Sequence, residues 1–403
     1  MVSLNDIRSA AERTRGHIIR TPLVYSPTIS SMCNAHVYLK LETMQRAGSF
    51  KIRGAMNKVL SKRGEIGHAG VVTASAGNHA QGVAVAAQTA GVKATIVMPE
   101  GSSLSKQEAT KGYGAEVVLY GKNLRESLEH AMRLTQKGAM FVHPYDDDQV
   151  IAGQGTIALE ILEEIPTPDL IIVPVGGGGL ISGIAVGVKE EHPTVRVVGV
   201  QTAACPVTYR AYHNEDGGEC LQPPSLADGI MVTQTGERTL PLIREYVDGM
   251  VLVTEEQIAD AMLLLLERKK VIAEGAGAAP LAALMSGSVP VKPQSTVVLV
   301  ISGGNVDSTM LERIIRRGHI QRGRIMCISV SLKDVPGSLA SLLAVIARRG
   351  GNILHIHHVR GGRDLPIFTI RVNLEIETRG VAHIKEIKDQ LEKEGYSLIL
   401  KEP

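Results

Sequence analysis

Four short stretches hold residue types whose spacing could support chemistry. In "GSFKIRGA", Gly48–Ala55, Lys51 stands between Phe50 and Ile52 in a run of small and apolar residues. Burial beside such side chains disfavours the charged ammonium, so a lysine there loses its proton easily and becomes a nucleophile and a base. The plainer alternative is a lysine that lays its stem on apolar surface and keeps its head in water. In "GGGGL", Gly176, Gly177, Gly178 and Gly179 follow an apolar run and precede a helical one. Backbone without side chains can approach an anion closely and present its N–H groups. A tight turn is the alternative, although one glycine usually suffices for that. Neither G-x-G-x-x-G with a ribose-binding acid nor G-K-[ST] is present, which weakens dinucleotide and P-loop readings. The remaining stretches are "SAGNHAQG", Ser75–Gly82, and "SGGN", Ser302–Asn305.

The elements that must position these residues are legible as periodicity. "GVVTAS", "ATIVMP", "AEVVLY", "DLIIVPV", "VRVVGV" and "STVVLVIS" are near-continuous apolar runs, as parallel strands covered on both faces require. Helical stretches lie between them, over His79–Thr89 and Leu124–Gln136, with another opening at a Thr254–Gln257 capping box. Repeated strand and helix imply parallel α/β sheets, in which ligands bind at the carboxyl ends of strands. Ser75–Gly82, Gly176–Gly179 and Ser302–Asn305 all fall at such ends and can line one cleft. A phosphate cradle and a semi-buried lysine in one α/β body together point to pyridoxal phosphate, which needs both.

The four motifs, in this order and spacing, resemble those of the fold-type II pyridoxal-phosphate enzymes, and as a set those of the threonine dehydratases. The resemblance implies two parallel-sheet α/β subdomains with the cofactor between them. It implies Lys51 as Schiff-base lysine and general base, Phe50 packed on the pyridine ring and Asn78 bonded to the ring oxygen. Gly176 to Gly179 would hold the phosphate, and Ser302 would meet the pyridine nitrogen. Ser75, Gly77, Asn78 and His79 would receive the substrate carboxylate. The implied reaction eliminates water from L-threonine and, after hydrolysis of the enamine so formed, gives 2-oxobutanoate and ammonia; L-serine is a further substrate to consider. Glu274 matches a stretch near the cofactor; its alternative is an ordinary acid at a helix start.

Serine racemases and the serine or 3-hydroxyaspartate dehydratases resemble the chain through the same motifs. Racemases carry a serine where this chain has Ala76, and alanine cannot return a proton to the opposite face. Their cation-binding acids correspond here to Gln201 and Val207, so no metal is expected. A non-catalytic amino-acid sensor is the reading from another class, but it has no need for Lys51, Asn78, the glycine loop and Ser302 together. A nucleotide-dependent oxidoreductase has only the topology and one glycine loop in its favour.

Beyond Arg324 the pattern becomes β-α-β-β-α-β within about eighty residues, a ferredoxin-like order, and this segment resembles an ACT domain. The expected division is a catalytic part at 1–320, with a smaller subdomain at about 48–150, and a regulatory part at 325–403. Gly337 and Asn352 match the stretches that receive an effector across an ACT dimer, which implies isoleucine or valine as effector and a homo-dimer or homo-tetramer. The basic run Arg313–Arg324 reads as a solvated helix end and hinge. Asp146, Asp147 and Asp148 read as a solvated loop beside a helix start, and His355, His357 and His358 as ordinary strand histidines, with His355 and His357 on one face.

Composition excludes other classes. Of 403 residues 44% are apolar and 21% charged, with a formal net charge of +2, so no field selects nucleic acid or an anionic membrane. No run approaches the ~18 apolar residues of a membrane span, and the first residues lack a signal-peptide core. Cys33, Cys205, Cys220 and Cys327 are scattered, which argues against a zinc knuckle or a disulfide framework and for the cytoplasm.

Overall fold

The computed structural model describes residues 1–215, 220, 224–360 and 366–400. The chain divides into two compact units, residues 1–306 and 307–403.

The first unit is built on two sheets. The larger has the strand order Leu23–Tyr25, His36–Leu41, Thr296–Ile301, Leu170–Pro174, Arg196–Thr202, Gly249–Val253. Only its first pair is antiparallel. The smaller is wholly parallel, in the order Glu116–Leu119, Ala94–Met98, Val71–Ala74, Met140–Phe141. Every residue of Val71–Ala74 and of Leu170–Pro174 is buried, as helices on both faces demand. Ile171, Val173, Ile181, Ile184, Val298 and Val300 form the larger core. Val59, Val71, Ala84, Ile96 and Met98 form the smaller. Truncating one such aliphatic side chain to alanine costs about 2–5 kcal/mol.

The six expected strands are present, but four more escaped the apolar pattern, and two of these, Leu23–Tyr25 and Met140–Phe141, are only three and two residues long. His36–Leu41 contains Lys40, which is fully buried, and Gly249–Val253 is short and only partly buried. The expected helices are present at Asn78–Ala90 and Leu124–Thr135, and Thr254 and Gln257 close their capping box.

Two helices tie the sheets together. Lys51–Ser61 places Ile52, Ala55, Met56 and Val59 in the smaller core. Its Arg53 turns the other way, into a buried cluster with Glu42, Lys40 and Glu160, the last on the helix Asp148–Glu164. That helix begins where the Asp147 carboxylate accepts from the N–H groups of Gln149 and Val150. The three neighbouring acids diverge. Asp146 accepts from the backbone N–H groups of Glu237 and Arg238, Asp147 also pairs with Lys58, and Asp148 pairs with Arg238.

The second unit has a four-stranded antiparallel sheet in the order Asn352–Val359, Thr369–Glu377, Ile325–Lys333, Leu398–Leu400. Helices Ser338–Arg348 and Val381–Lys393 bury Leu342, Val345, Ile346, Ile387 and Leu391 against it. This is the ferredoxin-like arrangement. The basic run is no hinge: residues through Gln321 belong to the helix Ser308–Gln321, whose Arg316 grips both oxygens of Glu375 at 2.9 and 2.6 Å. In the strand Asn352–Val359 the register slips between Ile353 and His355, and all three histidines are exposed.

One cysteine expectation is corrected. Cys205 and Cys220 are joined in a disulfide, with Cα atoms 5.4 Å apart. Among the described residues no helix is long and apolar enough to cross a membrane.

Candidate active site

The site forms where loops of both sheets meet the start of the Lys51 helix. Lys51 lines the cleft and donates to the carbonyl oxygen of Pro144 at 2.9 Å. Its amine stands 5.2 Å from the centre of the Phe50 ring. Desolvation pushes it down to about 8, against an opposing pull from Glu274. At neutral pH about a tenth of such an amine carries a free lone pair, far more than for an ordinary lysine. The backbone beneath it is stitched to the larger sheet, since Phe50 N donates to Ser302 O at 3.0 Å and Gly304 N to Gly48 O at 2.9 Å.

The glycine loop follows the strand Leu170–Pro174 and opens the helix Gly179–Lys189. Gly178 caps that helix at φ +98, a conformation open to glycine. The loop's carbonyls are committed outward: Gly176 O accepts from Thr208 Oγ1 at 2.7 Å and Gly177 O from Thr239 Oγ1 at 2.6 Å. The first intrahelical bond runs from Ser182 N to Gly178 O. The preceding N–H groups therefore have no helical acceptor and are available to an anion. Tyr145 fills the space on the other side. A Cβ at Gly177 would lie 2.4 Å from its ring, and one at Gly179 would lie 2.8 Å from its backbone oxygen.

The loop Ser75–Gly82 leads from the smaller sheet into the helix Asn78–Ala90. Ser75 Oγ accepts from Gly77 N at 3.2 Å. Asn78 reaches across to Glu274, donating to its two oxygens at 2.7 and 2.9 Å, and accepts from Asn305 Nδ2 at 2.7 Å. His79 departs from the expectation for its side chain. Its ring is buried, bonds the carbonyl of Val142 at 2.9 Å, and is driven down to about 3 by burial and by Lys51. What it offers the loop is its backbone N–H. Ser302 is buried at the end of Thr296–Ile301.

The cofactor-side residues therefore converge from elements far apart in the chain. Gly337 and Asn352 belong to the second unit, where Gly337 lines a cavity of about 350 Å³ with Asp334, His358 and Arg360. Asn352 sits at the start of its strand, bonded to Glu377 at 3.0 Å. The positions compared with cation-binding acids hold other structure. Gln201 is buried and its carbonyl accepts from Tyr209 N at 2.8 Å, while Val207 opens a short helix.

Sequence reasoning missed Pro144, Tyr145 and Asn305 as parts of the site. Asn305 was visible inside "SGGN" but had no assigned partner. Pro144 and Tyr145 precede the acidic triplet that drew the eye, and a proline carbonyl advertises nothing in sequence.

Residues 14–303 match the family model described as pyridoxal-phosphate dependent enzyme, and residues 328–394 match the ACT domain. The chain is 46% identical over 399 residues to the L-threonine ammonia-lyase of Thermotoga maritima, covering 99% of each. It is similar to the threonine deaminase isoform 2 of Solanum lycopersicum, at 35% identity and TM-score 0.73 over 79% of this chain and 87% of that one. It is also similar to the serine racemase of Dictyostelium discoideum, at 38% identity and TM-score 0.71 over 76% of this chain and 99% of that one. A desolvated lysine, a glycine cradle and an asparagine loop, set between two parallel sheets and matched over residues 14–303, make this chain a member of the pyridoxal-phosphate dependent enzyme family.

Proposed function

We propose that the chain is an L-threonine ammonia-lyase, converting L-threonine to 2-oxobutanoate and ammonia under amino-acid control. The observation that carries the reading is Lys51, a primary amine held at about 8 by burial and facing loops from both sheets. The residues fit pyridoxal phosphate. The N–H groups that precede Ser182 have no helical acceptor, so the bare glycine backbone can donate to an anion's oxygens. When bound, the cofactor supplies an electron-accepting ring conjugated to the substrate nitrogen.

The protein's own groups do the rest. Gly176 to Gly179 would hold the phosphate, Phe50 would pack on the ring, Asn78 would donate to its oxygen, and Ser302 would meet its nitrogen. A neutral hydroxyl at that nitrogen leaves the ring less electron-withdrawing than a carboxylate partner would, which favours prompt departure of the β substituent. Lys51 would take the α proton at Nζ. Ser75, Gly77, Asn78 and the backbone N–H of His79 would receive the substrate carboxylate. Ala76 has no proton to give from the opposite face, so elimination is favoured over racemisation.

The test is steady-state kinetics on L-threonine, L-serine and D-serine, with 2-oxo acid and chiral amino-acid detection. Turnover of L-threonine with no D-product supports the reading, and absence of 2-oxo acid from all three overturns it. A non-catalytic sensor would lack a visible absorbance band that borohydride abolishes.

The ACT unit is the place for an effector, isoleucine or valine, with Gly337 of one subunit meeting Asn352 of another in a homo-dimer or homo-tetramer. Gly337 lining a cavity supports its half of that site. In one chain the two residues lie toward opposite ends of the sheet, so a complete site calls for a second copy. Kinetics unchanged by both amino acids, with no heat of binding, would remove the regulatory part alone.

A further inference from the structure

Asn78 opens a helix packed on the smaller sheet, whereas Glu274 and Asn305 belong to loops of the larger one. The contacts among them therefore cross from one half of the catalytic unit to the other. Asn305 Nδ2 donates to Ala47 O at 2.9 Å and to Asn78 Oδ1 at 2.7 Å, which uses both of its N–H groups. Asn78 Nδ2 donates to the carboxyl of Glu274 at 2.7 and 2.9 Å.

This arrangement settles which way the Asn78 amide points. A flipped amide would set its oxygen against the Glu274 carboxyl and its NH₂ against that of Asn305. Both contacts would be repulsive, beside a Glu274 carboxyl that is itself buried. In the observed orientation the oxygen is taken, and the two Glu274 oxygens, 2.7 and 2.9 Å from Nδ2, lie too close together to meet N–H groups that diverge by about 120°, so they share one N–H. One N–H is left over.

The backbone is shaped to admit both partners. A Cβ at Gly48 would lie 2.4 Å from Asn305 Oδ1, and a Cβ at Gly303 would lie 2.4 Å from Glu274 Oε1. Glu274 N donates to Gly303 O at 3.0 Å, so the carboxyl and the asparagine rise from one stitched surface. Burial holds the Glu274 carboxyl up at about 7, and donation from Asn78 works against that rise.

We propose that Glu274 and Asn305 form a two-sided latch on Asn78, which closes the smaller half on the larger and leaves a single amide N–H aimed at the cofactor's ring oxygen. The proposal rests on the reading of Asn78 as that oxygen's partner. Glu274 and Asn305 are positioning residues in it, acting through Asn78.

The test compares Glu274→Ala, Glu274→Gln, Asn305→Ala and Asn78→Ala, each checked for folding by thermal unfolding. The readouts are pyridoxal-phosphate affinity of the apo protein and the pH titration of the holoenzyme's visible absorbance. Loss of a hydrogen bond to a buried partner weakens affinity about tenfold, so Glu274→Ala and Asn305→Ala should each do so and shift the absorbance titration. Glu274→Gln keeps an acceptor for Asn78 and should stay within about threefold of wild type. In a double-mutant cycle Asn78→Ala should absorb the effects of the other two. If Asn78→Ala impairs binding while Glu274→Ala and Asn305→Ala leave affinity and titration unchanged, the latch is wrong and the Asn78 reading stands. An unaltered Asn78→Ala overturns both. Should one alanine variant fail to fold, the other still decides, because each removes one side of the latch.

Discussion

The amine of Lys51 donates to the carbonyl oxygen of Pro144 at 2.9 Å, and the next residue, Tyr145, closes the floor of the glycine loop. One segment thus holds the Lys51 amine and backs the glycine loop. Asp146 fastens that segment to the backbone of Glu237 and Arg238, beside the Thr239 that holds Gly177. Lysine and cradle share a support, and changes at either should be felt at the other.

Lys51 makes the apo protein's stability depend on pH in a stated direction. Its amine lies at about 8 when folded against 10.5 when unfolded. Between these values the unfolded chain binds a proton that the folded chain has lost, so stability rises with pH across that window. Denaturation midpoints at about pH 7.5, 9 and 10.5 should show this slope in wild type and lose it in Lys51→Met. Lys51→Ala should have no visible cofactor band and almost no turnover.

Glu274 acts in the opposite sense and over a lower window. Burial raises its carboxyl to about 7 from 4.5, with Asp228 adding to the rise and Asn78, Lys106 and Lys51 opposing it. Between 4.5 and 7 the folded apo protein keeps a proton that the unfolded chain has released. Stability therefore falls as pH rises through that range. Glu274→Gln should flatten the decline, and thermal midpoints from about pH 5 to pH 7.5 measure it.

Gly177→Ala should fail through Tyr145. The added carbon would lie 2.4 Å from a ring that is itself held by a bond from its hydroxyl to Gln234 O at 3.0 Å. Overpacking of this kind costs about 1–3 kcal/mol, and cofactor affinity measured by fluorescence titration should fall about tenfold or more. Adding Tyr145→Ala should restore room and recover part of the affinity. An unchanged double variant would show that the collision is not the cause.

Arg53→Met should destabilise without touching the cleft. Arg53 meets Glu42 at 2.8 Å and Glu160 at 2.6 Å with its own side chain fully buried. Removing it strands two carboxylates with only Lys40 between them, at a cost of about 3–5 kcal/mol. Arg53→Lys should be poor as well, because one ammonium cannot serve both acids as the planar fork does. Urea denaturation reads both.

The chemistry was legible where local pattern and local requirement coincide. Apolar runs mark the strands of both sheets, and four consecutive glycines mark a place where backbone must meet something without a side chain between. The same signal failed at His36–Leu41, where Lys40 interrupts the apolar run. Its charge is tolerated because Glu160 lies 2.6 Å away and the Thr21 carbonyl accepts at 2.7 Å in the fold, and no window of neighbouring residues contains that fact. His79 shows the reverse error. Its place in "SAGNHAQG" suggests a side chain facing the ligand, yet the helix that Asn78 begins turns the ring into the core, onto Val142.

By itself the sequence determined the layered α/β body, the ferredoxin-like second unit, and the residue types that could bind an anion and form a Schiff base. These follow from periodicity and from side-chain chemistry, which are properties of short segments. Tertiary structure decided everything that depends on distance between segments: the Cys205–Cys220 bond, the Pro144 acceptor, the buried ions around Arg53 and the two partners of Asn78. Each joins groups that are remote in the chain, and each exists only because packing two sheets on shared helices brings those groups within bonding distance while excluding the water that would otherwise serve them. Lys51 is named by its sequence, but its depressed affinity for a proton belongs to the fold.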